Sequence, residues 1–211
     1  MKNLYLYLCI ILILLLAMLI LFIYYNKNNK KTICIFGSVS KDISDNYTLQ
    51  QDLNYIVSKI NTSKYNYIIP NSKEGPIGYI LNNIKEEDKD GVLTTYSTVF
   101  PSDNANKSFK IKMFDDPVIF EEYMIENSDI FIILPGGIGT LYEIAFLLFL
   151  IDVSDDKKKI IFYNKDNYYD FIINIMERYR KTGYLRENIY NKYKSSTYFI
   201  NNINEINKII D

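Results

Sequence analysis

The 211-residue chain contains no histidine, two cysteines, five prolines and only eight glycines. Each shortage excludes a class of chemistry. Without histidine there is neither a Ser-His-Asp nor a Cys-His nucleophile, and the commonest transition-metal ligand is missing. Cys9 lies in an apolar run and Cys34 in a strand-like one, so the pair builds neither a disulfide framework nor a thiolate zinc site. An excess of charge of one sign is also absent: 24 basic residues stand against 25 acidic ones. That balance offers no basic field to duplex nucleic acid. No metal, no cofactor and no nucleic acid partner is expected.

Long apolar runs are the exception to this economy. Leu4 to Tyr25 carries no charge, and at about 1.5 Å per residue it spans roughly 33 Å. That length matches a hydrocarbon core of about 30 Å. Tyr5, Tyr7, Tyr24 and Tyr25 sit at its two ends, where aromatic belts form. A cleaved signal peptide would have an apolar region of about 7–15 residues closed by a small-x-small site, which is missing. Lys27, Lys30 and Lys31 follow the run while Lys2 precedes it, a bias that favours a cytoplasmic C-terminal domain. The expected organisation is a single-pass transmembrane anchor over residues 1–25, a polar linker over 26–31 and one domain over 32–211.

Beyond the linker, strand-like and helix-like segments alternate. Strands are expected at 32–37, 65–70, 91–96, 109–113, 129–135, 159–164 and 196–200. Helices are expected at 47–60, 77–84, 117–127, 139–152 and 168–181, with a last one running to Asp211. This alternation predicts an α/β fold with a mostly parallel sheet and helices on both faces. Ligands of such sheets bind beyond the carboxyl ends of the strands. Gly37-Ser38 and Pro135-Gly136-Gly137 both follow strands, which is consistent with one shared site.

Three of the eight glycines fall within PGGIGTLYE, Pro135 to Glu143. A glycine's usual advantage is a positive φ or the close approach of another group to the main chain. Here a strand turns into a helix whose first N–H groups have no intrahelical partner and whose dipole is positive. Gly136, Gly137 and Gly139 would leave those N–H groups open to a phosphate. Thr140 would add a hydroxyl, and Glu143 would put a carboxylate at the mouth of the site.

PGGIGTLYE matches every fixed position of the PGGxGTxxE signature of the LONELY GUY (LOG) family, which the chain resembles from about Thr32 onward. ICIFGSVS (Ile33 to Ser40) is similar to that family's first strand and Gly-Ser loop, and SDIFIILPGG to its signature strand. The resemblance implies a Rossmann-like fold and cleavage of the N-glycosidic bond of a cytokinin-type nucleoside monophosphate to base and ribose phosphate. Many such proteins were once labelled lysine decarboxylases. Glu143 is then the candidate catalytic residue, with Gly136, Gly137, Gly139, Thr140, Gly37 and Ser38 at the nucleotide. Developing oxocarbenium character at the sugar would be stabilised by the carboxylate. The resemblance also implies a homodimer, for which the apolar face Ala145 to Ile151 is suited, as it is for an ordinary buried helix.

Two departures stand out. The family's GGGxxGLMG loop becomes SKEGPIGYI (Ser72 to Ile80), which keeps only Gly75 and Gly78. The family's Arg-Lys pair falls on Phe120 and Glu121 when counted back from Asp129 without gaps, or on Asp116 and Pro117 if Met113 is aligned to the family's methionine. Neither register supplies an arginine, and Arg178, Arg180 and Arg186 lie in another segment. Lys110 or Lys112 could stand in only as point charges. Asp115, Asp116, Glu121, Glu122 and Glu126 are expected to line a solvated helix face. The expected function is a membrane-anchored phosphoribohydrolase. The alternative is a nucleotide-binding sensor that keeps the cradle without the catalysis.

Overall fold

The computed structural model describes residues 11–21, 30–39, 42–43, 46–97, 106–153 and 158–210. The chain divides into two compact units, Met1–Lys30 and Lys31–Asp211. In the first, residues 11–21 form helix α1, whose apolar side chains are exposed along its length. Among the described residues no helix is long and apolar enough to cross a membrane. The remainder of the expected span, residues 4–10 and 22–25, lies outside the described residues, as do linker residues 26–29.

The second unit is built on a seven-stranded sheet in which every pairing is parallel. Its strands are β1 (Thr32–Phe36), β2 (Asn66–Pro70), β3 (Val92–Ser97), β4 (Lys110–Phe114), β5 (Ile130–Ile133), β6 (Lys159–Tyr163) and β7 (Thr197–Ile200). They lie in the order β4-β3-β2-β1-β5-β6-β7. The chain builds outward from β1 to β4, then crosses back to lay β5 on the other side of β1. That reversal makes the β1/β5 boundary the switch point, where sheets of this kind open a crevice at the strand ends.

Alternation along each strand feeds two cores. Ile33 and Ile35 of β1 face one side, where they pack with Leu49, Leu53 and Ile56 of α2 (Tyr47–Lys59) and Ile77 and Ile80 of α3 (Gly75–Asn83). Cys34 and Phe36 face the other side. There they meet α4 (Pro117–Glu126), α5 (Ile138–Val153), α6 (Asp170–Lys181) and α7 (Glu187–Ser196). Four consecutive buried residues in β5 explain why its sequence reads as an unbroken apolar run. On α5 the expected apolar face divides. Ile144, Leu147 and Ile151 enter the core, while Phe149 and Val153 are exposed.

Two elements differ from expectation. Helix α7 has a sequence, ENIYNKYKSS, with too little apolar content to announce itself. Only Ile189 and Tyr193 are buried, one turn apart, and the Tyr193 hydroxyl donates to the Leu148 carbonyl (2.7 Å). The expected last helix breaks into a 3-10 turn (Ile203–Glu205) and the short α8 (Ile206–Ile210). The Asn202 side chain accepts the Asn204 N–H (3.0 Å) and starts the turn instead.

Gly75 and Gly183 are the only glycines with positive φ among the described residues, at 67° and 78°. A Cβ at Gly75 would lie 2.6 Å from the Ser38 carbonyl oxygen, whereas at Gly183 it would meet nothing within 4 Å. Gly183→Ala should therefore carry only the left-handed cost of about 1–2 kcal/mol. Gly75→Ala should cost clearly more, since it also pushes the second loop off the first. Urea unfolding of the two variants checks this, and equal losses would contradict it.

Candidate functional site at the β1/β5 switch point

Three loops converge at the carboxyl edge. The Leu134 N–H donates to the Phe36 carbonyl (2.8 Å), and the Ser38 N–H donates to the Pro135 carbonyl (3.3 Å). The Ser38 carbonyl in turn accepts the Ile77 N–H (3.3 Å), and the Ser72 hydroxyl donates to the Val39 carbonyl (3.2 Å). Gly37 permits this closeness, because a Cβ there would stand 2.9 Å from the Leu134 Cβ. The structure thus brings Gly37 and Ser38 together with Pro135 and Gly136, as their places in the sequence predict.

Within PGGIGT the three glycines do different things, and none has a positive φ. A Cβ on Gly136 would lie 2.1 Å from the Thr140 Oγ1, so this position is closed to any side chain. Gly137 and Gly139 are exposed and have open space where a Cβ would point. The Leu141 N–H bonds back to the Gly137 carbonyl (3.0 Å) as the helix begins. The bare first turn of α5 therefore faces outward, ready for an anion on its N–H groups.

Thr140 and Glu143 lie elsewhere than expected. Thr140 is buried, and its hydroxyl hydrogen-bonds the Glu143 carboxyl instead of facing out with the glycines. Glu143 is 8% exposed and stands behind the turn in the interior, not at the mouth. Burial pushes its carboxyl well above the usual range, Glu121 raises it further, and the Thr140 hydrogen bond pulls the other way.

Glu121 is the larger correction. Asp115, Asp116, Glu122 and Glu126 are exposed as expected, but Glu121 is only 7% exposed. It shares the inward stripe of α4 with Phe120, Met124 and Ile125. That stripe was readable, since those three apolar residues flank position 121 at helical spacing. Burial pushes the Glu121 carboxyl up to about 7. In both acids the Oε2 atom is buried without a hydrogen-bond partner.

Three of the cations are held elsewhere. Lys112 lies 3.5 Å above the Tyr123 ring, Arg180 pairs with Glu177 (2.7 Å) and Arg186 with Asp152 (3.5 Å).

Beside the glycine turn lies a cleft of about 230 Å³ whose walls include Gly136, Gly137, Leu141, Tyr168, Tyr169 and Phe171. The Tyr168 hydroxyl donates to the Gly136 carbonyl (2.7 Å) and the Tyr169 hydroxyl to the Leu134 carbonyl (2.6 Å). Burial, then Tyr168 and Glu143, push the Tyr169 hydroxyl far up, so it stays a donor. In a chain with 20 tyrosines nothing in the sequence distinguishes these two. A second cavity of about 230 Å³, with Lys73, Asn82, Lys89 and Asn106 on its walls, lies beside α3.

Known proteins resemble the chain at several levels. A probable cytokinin riboside 5'-monophosphate phosphoribohydrolase of Oryza sativa subsp. japonica is 32% identical over 62 residues, 29% of this chain. The match spans only 27% of the rice protein's length. Among solved structures, the molybdenum cofactor carrier protein of Chlamydomonas reinhardtii aligns with a TM-score of 0.60 at 11% identity. The molybdenum cofactor binding protein of Rippkaea orientalis aligns with a TM-score of 0.57 at 14% identity. Each alignment covers 86% of this chain and 96% of the other, and at such identity each speaks for the fold alone. The model of the family described as "possible lysine decarboxylase" matches residues 77–206, more than half of the sequence, and the chain belongs to that LOG/lysine decarboxylase-like family.

Proposed function

We propose that the chain is a LOG-like phosphoribohydrolase that cleaves the N-glycosidic bond of a nucleoside monophosphate to base and ribose phosphate. The observation that carries this reading is the complete PGGxGTxxE signature at the β1/β5 switch point, with Glu143 tied to the glycine turn through Thr140. In this reading the phosphate rests on the N–H groups at the start of α5, where the dipole favours an anion. Tyr168 and Phe171 offer aromatic surface to the base. Glu143, a turn behind the phosphate, serves the sugar, where positive charge develops as the C–N bond breaks.

A second reading, a nucleotide sensor without catalysis, is favoured by one observation. In the ungapped register Glu121 falls on a position where the resemblance implies a cation. Base released from a panel of nucleoside monophosphates, alongside calorimetric binding, separates the two. The hydrolase releases base, and Glu143→Gln lowers the rate by about 10²–10³ while nucleotide affinity changes little. Binding without base release favours the sensor. Absence of binding by the folded protein contradicts both.

The proposal includes a single-pass anchor over residues 4–25 with the domain in the cytoplasm, and a homodimer to which the exposed Phe149 and Val153 of α5 contribute. In sealed vesicles, protease added from the cytoplasmic side should digest the domain and leave the anchor. Protection from that side, or a mature chain starting beyond residue 20, would contradict the anchor.

A further inference from the structure

The bend between β6 and α6 carries two adjacent residues with positive φ, Asp166 (54°) and Asn167 (59°). Among the described residues no other non-glycine residue has a positive φ. Such backbone is unfavourable for a residue with a Cβ and persists where its surroundings hold it from several sides. Here both ends are held. Asn164 is buried, and its N–H donates to the Ile200 carbonyl of β7 (2.8 Å). Its side-chain oxygen accepts the Tyr169 N–H (2.6 Å), and its side-chain nitrogen donates to Asp170 (2.9 Å). Lys165 is tied to α2, which packs on the face of the sheet opposite to Tyr169. Its ammonium lies 2.6 Å from the Asp52 Oδ2, and the Tyr163 hydroxyl donates to the same oxygen (2.5 Å). Both partners of the ion pair are largely covered, so water and salt screen it less than an exposed pair.

The bend delivers two tyrosines to the glycine turn. The Tyr168 N–H bonds back to the Lys165 carbonyl (3.2 Å), and the Tyr168 hydroxyl donates to the Gly136 carbonyl (2.7 Å). The Tyr168 ring meets Tyr169 nearly at right angles, with ring centres 5.0 Å apart. It is thereby fixed through its backbone, its hydroxyl and one side of its ring. The same ring lines the cleft with Gly136, Gly137 and Phe171, yet Tyr168 remains 46% exposed. A continuous path of bonds thus runs from Asp52 through Lys165 and Tyr168 to the peptide unit at the start of the turn.

We propose that Tyr168 is a specificity-determining residue of this site, the wall on which the ligand's base stacks, and that Asp52 and Lys165 are positioning residues acting through it. This deepens the phosphoribohydrolase reading and rests on it for the identity of the ligand. The N–H groups at the start of α5 accept the phosphate of any phosphorylated sugar. Only a ligand that also carries a flat base gains from the Tyr168 ring, by about 5-fold or more in affinity. In hydrolysis the substrate carries that base and the ribose phosphate product does not. The wall therefore favours substrate over product, and the product is left with the phosphate contacts alone.

Two measurements on the full chain in detergent test this. The first, by NMR, needs no ligand. Tyr168→Phe removes the bond to the Gly136 carbonyl and should move the amide resonance of Gly137, which shares that peptide unit. Lys165→Met should move the Gly137 resonance too, whereas Lys165→Arg, which keeps the ion pair, should leave it near its wild-type position. An ion pair that served only the stability of the bend would leave Gly137 unmoved in Lys165→Met, and that result overturns the positioning role. Should Lys165→Met not fold, Asp52→Asn, which keeps an acceptor for Tyr163, is read in the same way. The second compares calorimetric affinities for adenosine monophosphate and ribose 5-phosphate. The wild type should prefer the nucleotide, and Tyr168→Ala should narrow the ratio by about 5-fold or more. Lys165→Met should narrow it in the same direction, and Lys165→Arg should restore it. A wild type without that preference, or a ratio unchanged in Tyr168→Ala, overturns the proposal. A chain that shows both effects yet releases no base upholds the proposal and counts against the hydrolase reading alone.

Discussion

The ladder between β1 and β5 is the contact on which the site depends. Parallel pairing from Ile33–Ile130 to Phe36–Ile133 brings two strand ends level. The bonds from Leu134 to Phe36 and from Ser38 to Pro135 then carry the pairing past the sheet into the loops. Because β4 lies at one edge and β5 lies back beside β1, the strand order reverses at this boundary. A side chain at Gly37 would separate the strand ends by meeting Leu134, and one at Gly136 would displace Thr140. Through Thr140 the displacement would reach Glu143. The glycine turn, the buried acid and the open start of α5 are therefore linked through one set of contacts.

Against that order stands an electrostatic tension. Two buried carboxyl groups, Glu121 and Glu143, each with an unpartnered oxygen, are unfavourable for folding while they are charged. Local conflicts of this kind concentrate at functional sites, where the rest of the fold supplies the stability they lack. Here the surrounding layer is well built. Phe36 stacks on Phe131, and Phe162 contacts both Tyr169 and Phe199. The tension is thus confined to these two side chains.

Much of this was legible in the sequence, for reasons tied to particular residues. TICIF, NYIIP and KIIFY bury four of five positions and read as strands covered on both faces. The convergence of Gly37-Ser38 with Pro135-Gly136 followed from the rule that such sheets bind ligands at the carboxyl edge. The inward turn of Thr140 was hidden, because its direction depends on the space left by Gly136 across the turn. Glu121 is hidden for a different reason: four other acids between Asp115 and Glu126 are exposed, while the apolar stripe of α4 carries position 121 inward. Tyr168 and Tyr169 reach the site only through the 3-10 turn Lys165–Asn167, where Asp166 and Asn167 take positive φ. Nothing local to the two tyrosines signals that bend.

We propose that the bare turn at Gly137–Gly139 seats the phosphate in this protein. Amide shifts of the full chain in detergent, followed by NMR as adenosine monophosphate is titrated in, test it most directly. The account predicts that the largest movements fall on the amides of Gly137, Ile138, Gly139 and Thr140, with smaller ones at Gly37 and Ser38. Movements confined to Lys73, Asn82 and Asn106 around the cavity beside α3, with the glycine turn unmoved, would contradict it.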